Sequence, residues 1–186
     1  MPSFEEGRQR FTFDDRHWTV VKYDDHDDYV KRIAKLPETK GMDFVGLLRQ
    51  GSLTLCWIEA KDFRGYRIQN KARLTAGELA VEIAQKVRDS IAGVIGAYRT
   101  SGASHVWKPF IDAMRRKDCA IRVVLWLEQD PMPGTLARRK SAAQMLNDEL
   151  AKRLRWITAK VVVVSKTSGQ CPPGLTVTDL PGAGQP

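Results

Sequence analysis

Residues 42–61 constrain this chain more than any other stretch: Met-Asp-Phe-Val-Gly-Leu-Leu-Arg-Gln-Gly-Ser-Leu-Thr-Leu-Cys-Trp-Ile-Glu-Ala-Lys. Two apolar runs, 42–49 and 53–60, flank Gln50-Gly51-Ser52. A glycine between polar residues at such a point signals a β-hairpin. With those three residues as the loop, Arg49 faces Leu53, and counting back sets Asp43 directly opposite Glu59. Lys61 lies two residues beyond Glu59 and shares its face, because strand side chains alternate with period two.

Three charged groups therefore converge at the open end of an apolar hairpin. Facing residues hold their Cβ atoms about 4.5–5.5 Å apart, and like charges there repel. Two carboxylates so placed raise each other's pKa unless a cation sits between them. A hard divalent cation that prefers oxygen ligands, such as Mg²⁺, resolves the conflict. The Lys61 ammonium then stands where it can hold a water or an anionic phosphate.

Asp43 at the start of one strand and Glu59-Ala60-Lys61 at the end of the next resemble the signature of the PD-(D/E)xK nuclease superfamily. Met42 stands where that signature usually has proline. The resemblance implies the restriction-endonuclease-like α/β fold, a three-layer core with a mixed central β-sheet flanked by helices on both faces. It implies Mg²⁺, with Mn²⁺ able to substitute, held by Asp43, Glu59 and the carbonyl of Ala60. It implies Lys61 as a catalytic residue, and in-line hydrolysis of DNA that leaves a 5′-phosphate. In similar nucleases the helix after the triplet presents a polar residue to the metal or substrate. Gln85 is the candidate here for a catalytic position, with Glu82 beside it.

Composition narrows the field. A chain of 186 residues is long enough for one domain with a real core. Its 30 basic and 22 acidic residues leave a net charge of +8, which favours polyanionic partners, nucleic acid foremost. No apolar run approaches the roughly 18–20 residues that span a bilayer, and the acidic N-terminus does not read as a signal peptide, so a cytoplasmic protein is expected. Cys56, Cys119 and Cys171 form no metal-binding spacing, and buried free thiols are expected of the first two. The P-loop, the dinucleotide-binding glycine pattern and the HExxH zinc motif are missing. The three scattered histidines support neither a nucleophile–base set nor the His-Asp phosphohydrolase chemistry that His26-Asp27 spells.

The remaining pattern sets out the architecture. Residues 1–10 read as loose. Phe11–Phe13 and His17–Tyr23 read as strands of a hairpin around 14–16. The acidic run Asp24–Asp28 reads as a turn that caps a short helix, Asp28–Leu36, ended by Pro37. The hairpin strands are apolar on both faces, as in a sheet covered on each side. The strongest helix spans 76–99, with Leu79, Ile83, Val87, Ile91, Val94, Ile95 and Tyr98 inward and a polar row of Glu78, Glu82, Gln85 and Asp89. A helix over 105–117, a strand over Ala120–Leu127, a helix over 136–155 capped by Thr135, and a strand over Ala159–Ser165 complete one domain, 1–170. The order resembles the αβββαβ core of the same superfamily, with one strand of 11–23 completing the meander. Residues 171–186 read as a Pro/Gly-rich flexible tail in which Leu175–Thr178 can add an edge strand.

Arg64, Arg67, Lys71 and Arg73 follow the triplet, interleaved with Phe63 and Tyr66. Cations and aromatics so placed suit a loop that grips a DNA backbone, while a packed surface loop has the same composition. A homodimer suits an enzyme that cuts both strands of a duplex, and assembly with other proteins suits so small a unit. The alternative reading is a non-catalytic nuclease-like domain that binds nucleic acid or a partner protein in a larger assembly.

Overall fold

The computed structural model describes residues 1–66, 73–74, 77–130, 136–158, 160–168 and 171–182; for residues 136–142 it describes the backbone alone. Its centre is a five-stranded mixed sheet in the order β3 (Trp18–Lys22), β4 (Phe44–Gln50), β5 (Ser52–Asp62), β6 (Ala120–Glu128), β7 (Val161–Val164). Strands β3, β4 and β5 form an antiparallel meander, and β6 and β7 continue it in parallel. The β4–β5 register pairs Arg49 with Leu53 and Phe44 with Ile58, so the next pair outward is Asp43 with Glu59, as the hairpin count requires. Gly51, at φ 75°, makes the tight reversal that a side chain would strain.

The alternation of side chains sorts the sheet's two faces. On one face Val45, Leu47, Leu55, Trp57, Val123 and Leu125 pack against helices α2 (Glu78–Thr100), α3 (Ser104–Arg115) and α4 (Leu136–Leu154). Leu79, Ile83 and Val87 of α2, Trp107 and Phe110 of α3, and Leu146, Leu150 and Leu154 of α4 fill that layer. Ile95 departs from the expected stripe and is exposed, while the small residues Ala80, Gly93 and Ala97 are buried instead. Close helix packing favours small residues over the branched side chain that periodicity alone would choose.

The opposite face corrects the expectation of helices on both sides. It is covered by a second, three-stranded antiparallel sheet: β1 (Ser3–Glu6), β2 (Gln9–Phe13) and β8 (Leu175–Asp179), in the order β1-β2-β8. Phe11, Phe13 and Leu175 of this sheet bury Phe44, Leu48, Cys56, Ile58 and Trp126. Among the described residues, the layers are therefore small sheet, large sheet and helices.

Three further expectations change with it. Residues 1–10 are not loose, since they hold β1, the turn after it and the start of β2. Phe11–Phe13 and Trp18–Lys22 are not one hairpin, because the first joins the small sheet and the second is an edge strand of the large one. The segment from 171 is not a loose tail throughout, because the edge strand expected at Leu175–Thr178 forms as β8, and Trp18 Nε1 donates to the Pro173 carbonyl at 2.8 Å. The cause is shared: aromatic residues at Phe11 and Phe13 gain more by covering the large sheet than by pairing locally. The short helix divides into α1 (Asp27–Val30), capped by His26 Nδ1 accepting from the Asp28 amide at 3.1 Å, and a single 3₁₀ turn at Ile33–Lys35. Cys56 and Cys119 are buried free thiols. No helix among the described residues is long and apolar enough to cross a membrane.

Candidate functional site

The site forms where β4 begins and β5 runs on past it. Asp43 precedes the first residue of β4, and its backbone carbonyl accepts from the Tyr23 amide at 2.8 Å, which continues the β3–β4 ladder. Its Oδ2 accepts from the Ala60 amide at 2.6 Å, so the side chain substitutes for the strand partner that β5 lacks at this point. Within a strand residue the N–H and C=O point the same way, so the Ala60 carbonyl is directed to the same gap.

Glu59 is fully buried and faces the helix layer with Asp43 and Lys61. Its Oε1 accepts from Lys61 Nζ at 2.8 Å and from Lys86 Nζ of α2. Its Oε2 is buried and has no hydrogen-bond partner among the described residues. Lys86 Nζ also lies 3.5 Å from Asp43 Oδ1, which places the ammonium between the two carboxylates. Lys61 Nζ reaches Glu82 Oε1 at 3.1 Å, and Glu82 Oε2 accepts from Arg73 at 2.5 Å.

These contacts set the protonation behaviour. Burial pushes the Asp43 carboxyl well above the usual carboxylate range, and the neighbouring Glu59 charge adds to this while Lys86 opposes it. Burial also raises Glu59, against the pull of Lys86 and Lys61. For Lys61, burial disfavours the ammonium, but Glu59 and Glu82 outweigh it and hold the group charged. Glu82 is lowered despite its burial because Lys61 and Arg73 flank it.

Glu6 of β1, Asp24 just after β3 and Asp43 bring carboxylate oxygens within 4.8 Å of one another. Lys22 Nζ bonds Glu6 and Asp24, each at 2.7 Å. A cavity of about 230 Å³ opens beside Lys61 and Ala60, lined also by Glu6, Gln9 and Phe63. Gln9 Nε2 is buried there without a partner among the described residues. A larger surface depression of about 810 Å³ lies over Asp25–Asp28 and shares no residue with this cluster.

The residues present fit a divalent cation. Asp43 and Glu59 offer hard oxygen atoms and are both buried, Glu59 Oε2 lacks a partner among the described residues, and the chain already places a cation between them.

The sequence-derived candidates divide accordingly. Asp43, Glu59, Ala60 and Lys61 come together. Gln85 does not join them, since its Nε2 donates to the Glu38 carbonyl at 2.6 Å near the surface. One helix position further, Lys86 points inward and takes the place expected of Gln85. Arg64 is bound to Asp62 at 2.7 Å and Asp179 at 3.0 Å, and Arg73 is bound to Glu82 with its guanidinium over the Phe63 ring. Arg67 and Lys71 lie outside the described residues. Sequence reasoning misses Lys86 and Glu6, and takes the acidic run that holds Asp24 for a turn rather than a metal site, because these residues reach the site from other elements. The sequence signal for Lys86 is its place one residue from the polar row of α2.

Compared with family models, curated proteins and solved structures, the chain matches none.

Proposed function

We propose that this chain is a Mg²⁺-dependent nuclease that hydrolyses DNA phosphodiester bonds. The observation that carries the reading is the juxtaposition of Asp43 and Glu59 at the open end of the β4–β5 hairpin, with the Lys61 ammonium 2.8 Å from Glu59. An antiparallel meander followed by a parallel strand agrees with the core that the superfamily resemblance implies. The positive net charge suits a polyanionic substrate.

Asp43, Glu59 and the Ala60 carbonyl hold the cation. When bound, Mg²⁺ supplies Lewis-acid polarisation of a phosphoryl oxygen and lowers the pKa of water. Lys61 orients the attacking water and offsets the negative charge that grows on the phosphate. Glu82 fixes the direction of the Lys61 side chain through its 3.1 Å contact. The Ala60 amide fixes Asp43, so the carboxylate does not have to be ordered when substrate arrives. Of the cations expected to contact phosphates after β5, Arg64 and Arg73 are engaged with carboxylates of the chain itself.

A second reading has its own support. The Lys61, Lys86 and Arg73 cations are all paired with carboxylates of this cluster, as they would be in a non-catalytic domain that only binds nucleic acid or a protein partner.

A plasmid-cleavage assay separates the two. Supercoiled, linear and single-stranded DNA are incubated with wild type and Lys61→Ala in Mg²⁺, Mn²⁺ or EDTA. The nuclease reading expects metal-dependent cutting that falls by about 100-fold or more in the variant. Cutting retained by pure Lys61→Ala would overturn the assignment of Lys61. Absence of cutting by wild type, with no metal binding at Asp43, favours the non-catalytic domain.

A further inference from the structure

Glu59 is served unevenly. One oxygen accepts from two ammonium groups, Lys61 and Lys86, while the other has no partner among the described residues. Lys61 belongs to the hairpin and continues to Glu82. Lys86 belongs to α2 and reaches across to Asp43 Oδ1, 3.5 Å away. It occupies the space between the carboxylates that the nuclease reading gives to a divalent cation. A cation here relieves the repulsion between two buried carboxylates, which is strong when both are ionised and no charge opposes them.

The side chain can also leave. Gln85, the adjacent residue on α2, already reaches the surface and bonds the Glu38 carbonyl. Lys86 is itself not fully enclosed, at 13% side-chain exposure. Rotation about its long aliphatic stem withdraws the ammonium without moving either strand.

We propose that Lys86 is a built-in counter-cation that exchanges with a divalent metal ion at Asp43 and Glu59. In the metal-free protein it holds the two carboxylates together in the geometry that metal binding needs. On metal entry one ammonium is displaced by one divalent ion, and the site gains a single positive charge. Lys86 is thus a positioning residue that sets metal affinity. The inference rests on the metal site of the nuclease reading and concerns a residue that the superfamily signature does not include.

The test is Mn²⁺ binding to the full chain without DNA, followed by the electron paramagnetic resonance of free Mn²⁺. Wild type, Asp43→Ala, Glu59→Gln, Lys86→Met and Arg88→Met are compared. Arg88 is on the same helix and pairs with Asp89, so its loss removes an equal charge away from the two carboxylates. Lys86→Met is expected to tighten the Mn²⁺ dissociation constant by about tenfold or more, and Arg88→Met to change it by less than about twofold. A lysine with only a structural role gives no such tightening. Lys86→Gln serves as a second variant if Lys86→Met does not fold. Unchanged or weaker binding in a folded Lys86 variant, or equal tightening in Arg88→Met, overturns the exchange. If wild type then still binds Mn²⁺ and both Asp43→Ala and Glu59→Gln lose it, the metal site of the nuclease reading stands. No Mn²⁺ uptake by wild type or either Lys86 variant overturns both.

Discussion

The Asp43 carboxylate accepts a 2.6 Å hydrogen bond from the backbone amide of Ala60. This contact joins the first residue of the candidate site to the middle of the triplet Glu59-Ala60-Lys61. It also occupies one carboxylate oxygen and turns the other, Oδ1, toward Lys86 and Glu59. Asp43→Asn keeps an acceptor for Ala60 and removes a buried charge. In EDTA at pH 7–8 the variant is expected to be more stable than wild type, because the charge that burial and Glu59 disfavour is gone.

The pH dependence of that difference has a definite sign. Asp43 has a folded pKa raised above its unfolded value, chiefly by burial. Its contribution to stability is therefore most favourable below the unfolded pKa, near 3.9, and is lost as pH rises through the folded pKa. The advantage of Asp43→Asn should shrink as pH falls toward 4. Thermal unfolding followed by circular dichroism from pH 4 to 8 measures it. A constant difference across that range argues against an ionised, penalised Asp43.

Metal addition should also favour wild type. Millimolar Mg²⁺ or Mn²⁺ is expected to raise the wild-type unfolding midpoint by several degrees, because a ligand at about 100 times its Kd stabilises by roughly 2.7 kcal/mol. Asp43→Ala should abolish the shift. Differential scanning calorimetry with Mg²⁺ and with EDTA decides the matter, and an equal shift in the variant would place the ion elsewhere.

Asp62 joins the small sheet to the end of β5. It accepts from Arg8 Nε and Nη2, each at 2.9 Å, and pairs with Arg64 at 2.7 Å. Burial works against its charge, but the Arg64 and Arg8 hydrogen bonds prevail and lower its pKa to about 2. A depressed carboxylate contributes stability above its unfolded pKa, near 3.9, and loses it as pH falls through the folded value. Asp62→Asn is expected to cost about 1–3 kcal/mol at pH 7, with the difference vanishing toward pH 2. Urea titrations at pH 7 and at pH 3 check both statements.

Gly93 and Tyr23 offer a packing test away from the chemistry. A Cβ at Gly93 would overlap the Tyr23 hydroxyl oxygen, which is buried without a hydrogen-bond partner among the described residues. Alanine in a helix gains roughly 1 kcal/mol over glycine, whereas overpacking costs about 1–3 kcal/mol. Gly93→Ala is therefore expected to destabilise. Tyr23→Phe alone should be near neutral, and Gly93→Ala should be tolerated better when combined with it. A double-mutant cycle measured by chemical denaturation reads the coupling directly.

Local pattern determined the hairpin, its register and the meeting of Asp43, Glu59 and Lys61. A strand's two-residue period and a tight turn at Gly51 leave little freedom once the apolar runs are recognised. The principal helices and β6 were legible for the same reason, through periodicity over long segments. The tertiary structure decided what period and spacing do not encode. It put the N-terminal strands and β8 over the face where helices were expected, because Phe11, Phe13 and Leu175 bury aromatic neighbours far away in sequence. It turned Gln85 outward and Lys86 inward, since the rotation of α2 is fixed by how Leu79, Ile83 and Val87 pack on the sheet. It also bound Arg64 and Arg73 to acids and brought Glu6 and Asp24 to Asp43. The charges of this site were written in the sequence, but their partners were chosen by burial, which depends on every layer at once.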